Sequence, residues 1–89
     1  MRLLSNLKQV YVDASDVIRA LHCVDRILLL SPNEARVLRD RGILYQRLEC
    51  YAAALRDFQR YLQLAPDDDA APLIRESLPD LHRQAASLQ

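Results

Sequence analysis

Four side chains in the sequence are of the kind that do nucleophilic or metal chemistry: His22, Cys23, Cys50 and His82. His22 and Cys23 adjoin, but neighbours in a helix point about 100° apart, so this imidazole is badly placed to take this thiol's proton. A zinc centre needs four ligands at short, regular spacings, and these four are scattered between positions 22 and 82. Free thiols on packed helices are the ordinary reading. The run Asp67, Asp68, Asp69 lacks the remainder of a calcium loop, and its place ahead of a helix predicts carboxylates facing that helix's positive end. No catalytic residue, metal ligand or cofactor site is predicted, and the chain is expected not to be an enzyme.

Arginine is the more informative group, supplying 11 of the 12 basic residues. Planar guanidinium forks suit carboxylates, although the base composition of a genome produces the same bias. The 12 basic residues are balanced by 12 acidic ones, so the broad positive field of a nucleic-acid binder is missing. No segment approaches the ~20 apolar residues of a membrane span. The opening "MRLLSNLKQ" is interrupted by Ser5, Asn6 and Lys8 before an export-type apolar run forms, and the two cysteines fit a reducing compartment. A cytoplasmic location is predicted.

With 89 residues, 51% of them hydrophobic, and a single glycine, the chain predicts one small, almost wholly helical domain. Leu3, Leu4, Leu7, Val10 and Tyr11 form one apolar stripe. Val17, Ile18, Leu21, Val24, Ile27 and Leu28 form a second, with Ser15 or Asp16 as its cap. Asn33 is the predicted cap of a third helix carrying Leu38, Gly42 and Tyr45, and a break at "LEC" leads into a fourth with Leu55, Phe58, Leu62 and Leu64. Leu73, Ile74, Leu78, Leu81, Ala85 and Leu88 mark a last helix, kinked at Pro79 or restarted there with Ser77 as cap. Pro72 fits that helix's first turn.

Pro32 and Pro66 lie 34 residues apart, and on that offset "LLLSPN" aligns with "LQLAPD", Tyr11 with Tyr45, Ala20 with Ala54, and Val24 with Phe58. A 34-residue helix-turn-helix unit with this tyrosine, alanine, aromatic and proline resembles a tetratricopeptide repeat. The resemblance implies an all-α fold: repeat one over 1–34, repeat two over 35–68, stacked as an α-solenoid, and a capping helix over 69–89. It also implies that the small residue of the first helix packs on the alanine of the second, so Ala54 is expected against Gly42. The words "NLKQVY", "VLRDRGILYQRL" and "AAALRDFQRYLQLAP" are similar to the C-terminal segment of SirB-type bacterial proteins, where a transglutaminase-like domain precedes a short repeat tail. That domain's nucleophile, base and acid have no counterpart here.

Arg41 shares the inward stripe of Leu38, Gly42 and Tyr45 and therefore needs a partner, for which Asp57 is the candidate. Arg36, Arg39, Ile43, Gln46 and Arg47 lie on the opposite face. In tetratricopeptide proteins the first helix of each repeat lines a groove, so the resemblance sets these five beside Arg2, Ser5, Gln9 and Val12. Such a groove suits an acidic peptide or partner domain. The lysine and asparagine pattern of repeats that clamp a C-terminal carboxylate is not present. Two repeats are few for a stable stack, and the leading edge (Leu3, Leu4, Leu7, Val17, Leu21) predicts cover from an upstream domain or from a second copy in a homodimer.

Overall fold

A computed structural model of the chain describes residues 14–87, which fold as four helices with no strand among them. These are α1 (Ala14–Leu30), α2 (Ala35–Arg47), α3 (Tyr51–Leu64) and α4 (Ala71–Ser87). Consecutive helices pack on one another, α1 on α2, α2 on α3 and α3 on α4.

Val17, Leu21, Val24 and Leu28 are the buried stripe of α1, spaced by four, three and four, while Ile18 and Ile27 flank it and stay exposed. The helix begins at Ala14, so Ser15 and Asp16 fall within its first turn and neither is its cap. Asp16 there still faces the positive end of the helix. Asn33 is not a cap either: the N-cap position of α2 is Glu34, in extended backbone and without a side-chain bond. Instead the Asn33 Oδ1 accepts a hydrogen bond from Arg60 Nη2 at 2.9 Å, fastening the turn to α3.

The break at "LEC" is a left-handed helix terminus. Cys50 N–H donates to Tyr45 O at 2.9 Å, Glu49 N–H to Gln46 O at 2.9 Å, and Glu49 has a φ of 61°. This double reverse bond usually employs glycine at the left-handed position. The chain's one glycine is elsewhere, at Gly42 in the middle of α2, where φ is negative and conformational freedom is not the reason for it. A Cβ at Gly42 would lie 2.5 Å from Phe58 Cε1 and 2.7 Å from Cδ1. The close neighbour is thus the Phe58 ring, not Ala54 as the repeat pattern implied. Both are wholly or almost wholly buried, but the flat ring, not the methyl group, reaches the α2 backbone.

The core joins Val24, Leu28, Leu38, Ala54, Phe58, Tyr61, Ala71, Ile74 and Leu81. On α3 the buried face is Ala54, Asp57, Phe58 and Tyr61, whereas Leu55, Leu62 and Leu64 pack around its edge. Along α4 the helix continues through Pro79 without a restart; the Ser77 hydroxyl donates back to Ile74 O at 2.7 Å and does not cap a new helix. Pro79 is exposed, so the carbonyl four residues earlier that loses its N–H partner can be hydrated. Leu73, placed on the apolar stripe by its sequence, is 71% exposed, and Leu88 lies outside the described residues.

The last helix keeps the repeat's pattern in a shifted register. Ala35 and Ala71, Leu38 and Ile74, Gly42 and Leu78, Tyr45 and Leu81 are each 36 positions apart, two more than the repeat. The extra two fall in the turn, which spans 31–34 between α1 and α2 but 65–70 between α3 and α4.

Candidate functional site

The two faces of α2 carry different chemistry. On the inward side Arg41 donates from Nε to Asp57 Oδ2 at 2.8 Å and from Nη2 to Asp57 Oδ1 at 2.9 Å, a two-pronged fork. Its third nitrogen, Nη1, reaches Asp25 Oδ1 at 2.9 Å, and the guanidinium carbon lies 5.8 Å from the centre of the Tyr45 ring. The Asp57 bonds, outweighing the opposing effect of burial and aided by Asp25, hold the Arg41 guanidinium firmly protonated, above its ordinary value. One cation therefore ties α1, α2 and α3 together, with the predicted Asp57 and the unpredicted Asp25. The signal for Asp25 was its place four residues after Leu21, on the edge of the α1 stripe. A cleft of about 450 Å³ between α1 and α2 is lined by Asp25, Leu28, Leu29, Pro32, Leu38 and Arg41, and the same ion pair spans its walls.

On the outward side lie Arg36, Arg39, Ile43, Gln46 and Arg47, brought to one stripe of α2 by their spacing. Arg36 is 75% exposed and Arg39 25% at the side chain. Ile43 is half-buried against the core, Gln46 is half-buried, and Arg47 is exposed in the last turn, where the helix's negative end favours a cation. Arg2, Ser5, Gln9 and Val12, expected beside them, lie outside the described residues, as do Leu3, Leu4 and Leu7 of the leading edge.

Between α3 and α4 the chain delivers a carboxylate to this face. Asp68 Oδ1 accepts from Arg36 Nε at 3.4 Å and Nη2 at 3.3 Å, and Oδ2 lies 3.6 Å from Arg39 Nη1. Arg39 also donates from Nη2 to Asp40 Oδ1 at 3.2 Å. The firmest bond to Asp68 comes from below: the hydroxyl of the fully buried Tyr61 donates to Oδ2 at 2.6 Å. Asp68 Oδ2 also accepts from Ala70 N–H at 3.4 Å. The helix-end role expected for the acidic run therefore describes only part of what Asp68 does. The Tyr61 hydroxyl above all, opposed by desolvation and helped by the Ala70 N–H and Arg36, holds the Asp68 carboxyl below its ordinary value. Burial first, and then Asp68, pushes the Tyr61 hydroxyl up.

The nucleophile candidates are not assembled. Cys23 and Cys50 are free and exposed, and His22 and His82 are exposed on α1 and α4. Cys50 Sγ lies 3.8 Å from Leu48 O, within its own turn. Among the described residues no three of His, Cys, Asp and Glu are grouped so as to hold a metal ion, and no helix is long and apolar enough to cross a membrane.

Comparison with known proteins agrees with this geometry. The chain is 43% identical over 84 residues to a UPF0162 protein of Xylella fastidiosa (strain Temecula1), covering 94% of this chain and 30% of the relative. It is 35% identical over 74 residues to a UPF0162 protein of Vibrio cholerae, covering 83% of this chain and 27% of that protein. To Protein SirB1 of Salmonella typhimurium it is 30% identical over 84 residues, covering 93% of this chain and 31% of that one. The chain thus spans less than a third of the length of these relatives. No solved structure matches it. The family profile described as tetratricopeptide repeat matches residues 7–79, and with the paired helices, the glycine seated on Phe58 and the 34-residue interval, the chain belongs to the tetratricopeptide repeat family.

Proposed function

We propose that the chain is a non-enzymatic protein-interaction module that holds an acidic peptide, or an acidic surface of a partner domain, against the outward face of α2. The observation that supports this most is the division of labour on α2. Arg41 is consumed by two carboxylates at 2.8–2.9 Å, while Arg36, Arg39 and Arg47 keep part or all of their guanidiniums available on the other side. Ile43 and Gln46 add an apolar and an amide contact, and Arg2, Ser5, Gln9 and Val12 are the sequence counterparts of Arg36, Arg39, Ile43 and Gln46, each 34 positions earlier. Arg39→Glu is expected to abolish binding of an acidic peptide, measured by fluorescence anisotropy. Its unfolding free energy should fall by no more than about 1 kcal/mol, because the Arg39 contacts are long and single-pronged. A variant that binds as well as wild type removes the proposal.

A second reading has its own support in the share of the relatives that the chain covers. In it the chain is the C-terminal accessory segment of a longer, transglutaminase-like protein, and the rest of that polypeptide covers the exposed Ile27, Leu29 and Leu30 at the end of α1. Joined to such a domain, these three residues lose their exposure to limited proteolysis; in a homodimer they lose it only at high concentration.

A further inference from the structure

We infer that the Asp68 carboxylate is a built-in rival for whatever acid the α2 face binds, so that Asp68 sets how acidic a ligand must be to compete. The inference rests on the reading of that face as a binding groove.

The contrast with Arg41 carries it. Arg41 meets Asp57 as a two-pronged fork at 2.8 and 2.9 Å. Arg36, by comparison, directs two of its three nitrogens at the single oxygen Oδ1 from 3.3 and 3.4 Å, and Arg39 is divided between Asp68 at 3.6 Å and Asp40 at 3.2 Å. Neither outward arginine has the parallel pair of short bonds that a free carboxylate can offer. Asp68, on the other hand, does not depend on them. Its anchor is the Tyr61 hydroxyl at 2.6 Å, carried by a ring with no exposed surface, with the Ala70 N–H as a second donor. The arginines can swing away while the carboxylate stays.

A ligand acid that captures Arg36 and Arg39 must therefore draw them from a fixed negative charge and then remain beside it. Two unit charges about 5 Å apart in a solvent-exposed setting alter an equilibrium roughly three- to tenfold, so capture of Arg36 and Arg39 by any ligand carboxylate is weakened by that factor, and a ligand needs further carboxylates, at Arg47 for one, to offset it. The turn that brings Asp68 here is also the one lengthened by two residues relative to the turn after α1.

The test uses a fluorescein-labelled hexaglutamate peptide at low salt. Asp68→Asn keeps an oxygen to accept from Tyr61 but loses the charge, and it is expected to bind the peptide about three- to tenfold more tightly than wild type. Asp67→Asn removes the same net charge from an exposed neighbour in that turn without touching either arginine, and should tighten binding less than twofold. Arg39→Glu should not bind. If Asp68→Asn binds no better than wild type, or Asp67→Asn improves binding equally, while Arg39→Glu is still inactive, Asp68 is no rival and the groove reading survives. If none of the four proteins binds the peptide, both fall. Should Asp68→Asn not fold, the carboxyl carbon of Asp68 can be titrated by NMR in the wild type. Peptide capture of the arginines must move its midpoint upward, and an unmoved midpoint in the bound protein overturns the inference.

Discussion

Gly42 shows what one absent methyl group can decide. A Cβ there would overlap the Phe58 ring, which is nine-tenths or more enclosed and has no free direction in which to retreat. Gly42→Leu is expected to destabilise the fold by about 1–3 kcal/mol, read from the denaturant midpoint. Asp57→Lys should cost more, at least about 3 kcal/mol, because it leaves Arg41 against a like charge in a largely buried place; an unchanged midpoint would show that the fork contributes nothing. The sequence placed both residues well. A lone glycine in an amphipathic helix signals close approach, and an arginine on an apolar stripe signals a buried partner. Which side chain meets the glycine was not legible, since Ala54 and Phe58 are four apart on one face of α3 and only the tilt of the ring separates them. Tyr61 and Asp68 were missed for a related reason: their bond joins a helix face to a turn, and no periodicity reports a contact of that kind.

At the scale of the element, helix interiors were easier to read than helix ends. The stripes of α1 and α2 follow their spacing, whereas Asn33 looks like a cap and serves otherwise, because it finds a better partner in Arg60 across the turn. The α2–α3 turn places Glu49 where glycine is preferred. Glu49→Gly is therefore expected to stabilise the chain by about 1 kcal/mol, relieving the left-handed backbone while keeping both reverse bonds, with thermal melting as the measurement. A lower midpoint would mean that the Glu49 side chain contributes more than its backbone costs. Pro79 was ambiguous in the sequence because proline both starts helices and interrupts them. Its exposed position lets α4 run on.

For the molecule as a whole, the Tyr61–Asp68 bond links the stability of the α3–α4 junction to pH. Asp68 titrates below its ordinary value when folded, so its contribution is complete above the ordinary carboxylate value of 3.8 and disappears as the pH falls through the lower, folded one. Tyr61 titrates above its ordinary value of 10.0, so its contribution is complete below pH 10.0 and disappears as the pH rises through the higher, folded one. Urea unfolding across this range should give a plateau falling at both ends, and Asp68→Asn should flatten the acid side. If the acid limb is the same in Asp68→Asn and wild type, Asp68 is not its source. The architecture was visible in the 34-residue interval, but the 36-residue register of α4 was not, because Leu78 stands where the repeat has glycine and hides the correspondence.

The clamp between α1, α2 and α3 bears on the chain's lopsided use of arginine over lysine. Nucleotide bias accounts equally well for a guanidinium that dangles in water, where an ammonium would serve. It does not account for position 41, where three nitrogens in one plane point at two acids on different helices. An ammonium has no flat fork to lie edge-on against one acid while a third nitrogen turns to the other. Among the arginines of the described residues, this is the one with three nitrogens bonded to two acids, and its exchange for lysine would loosen three helices at once.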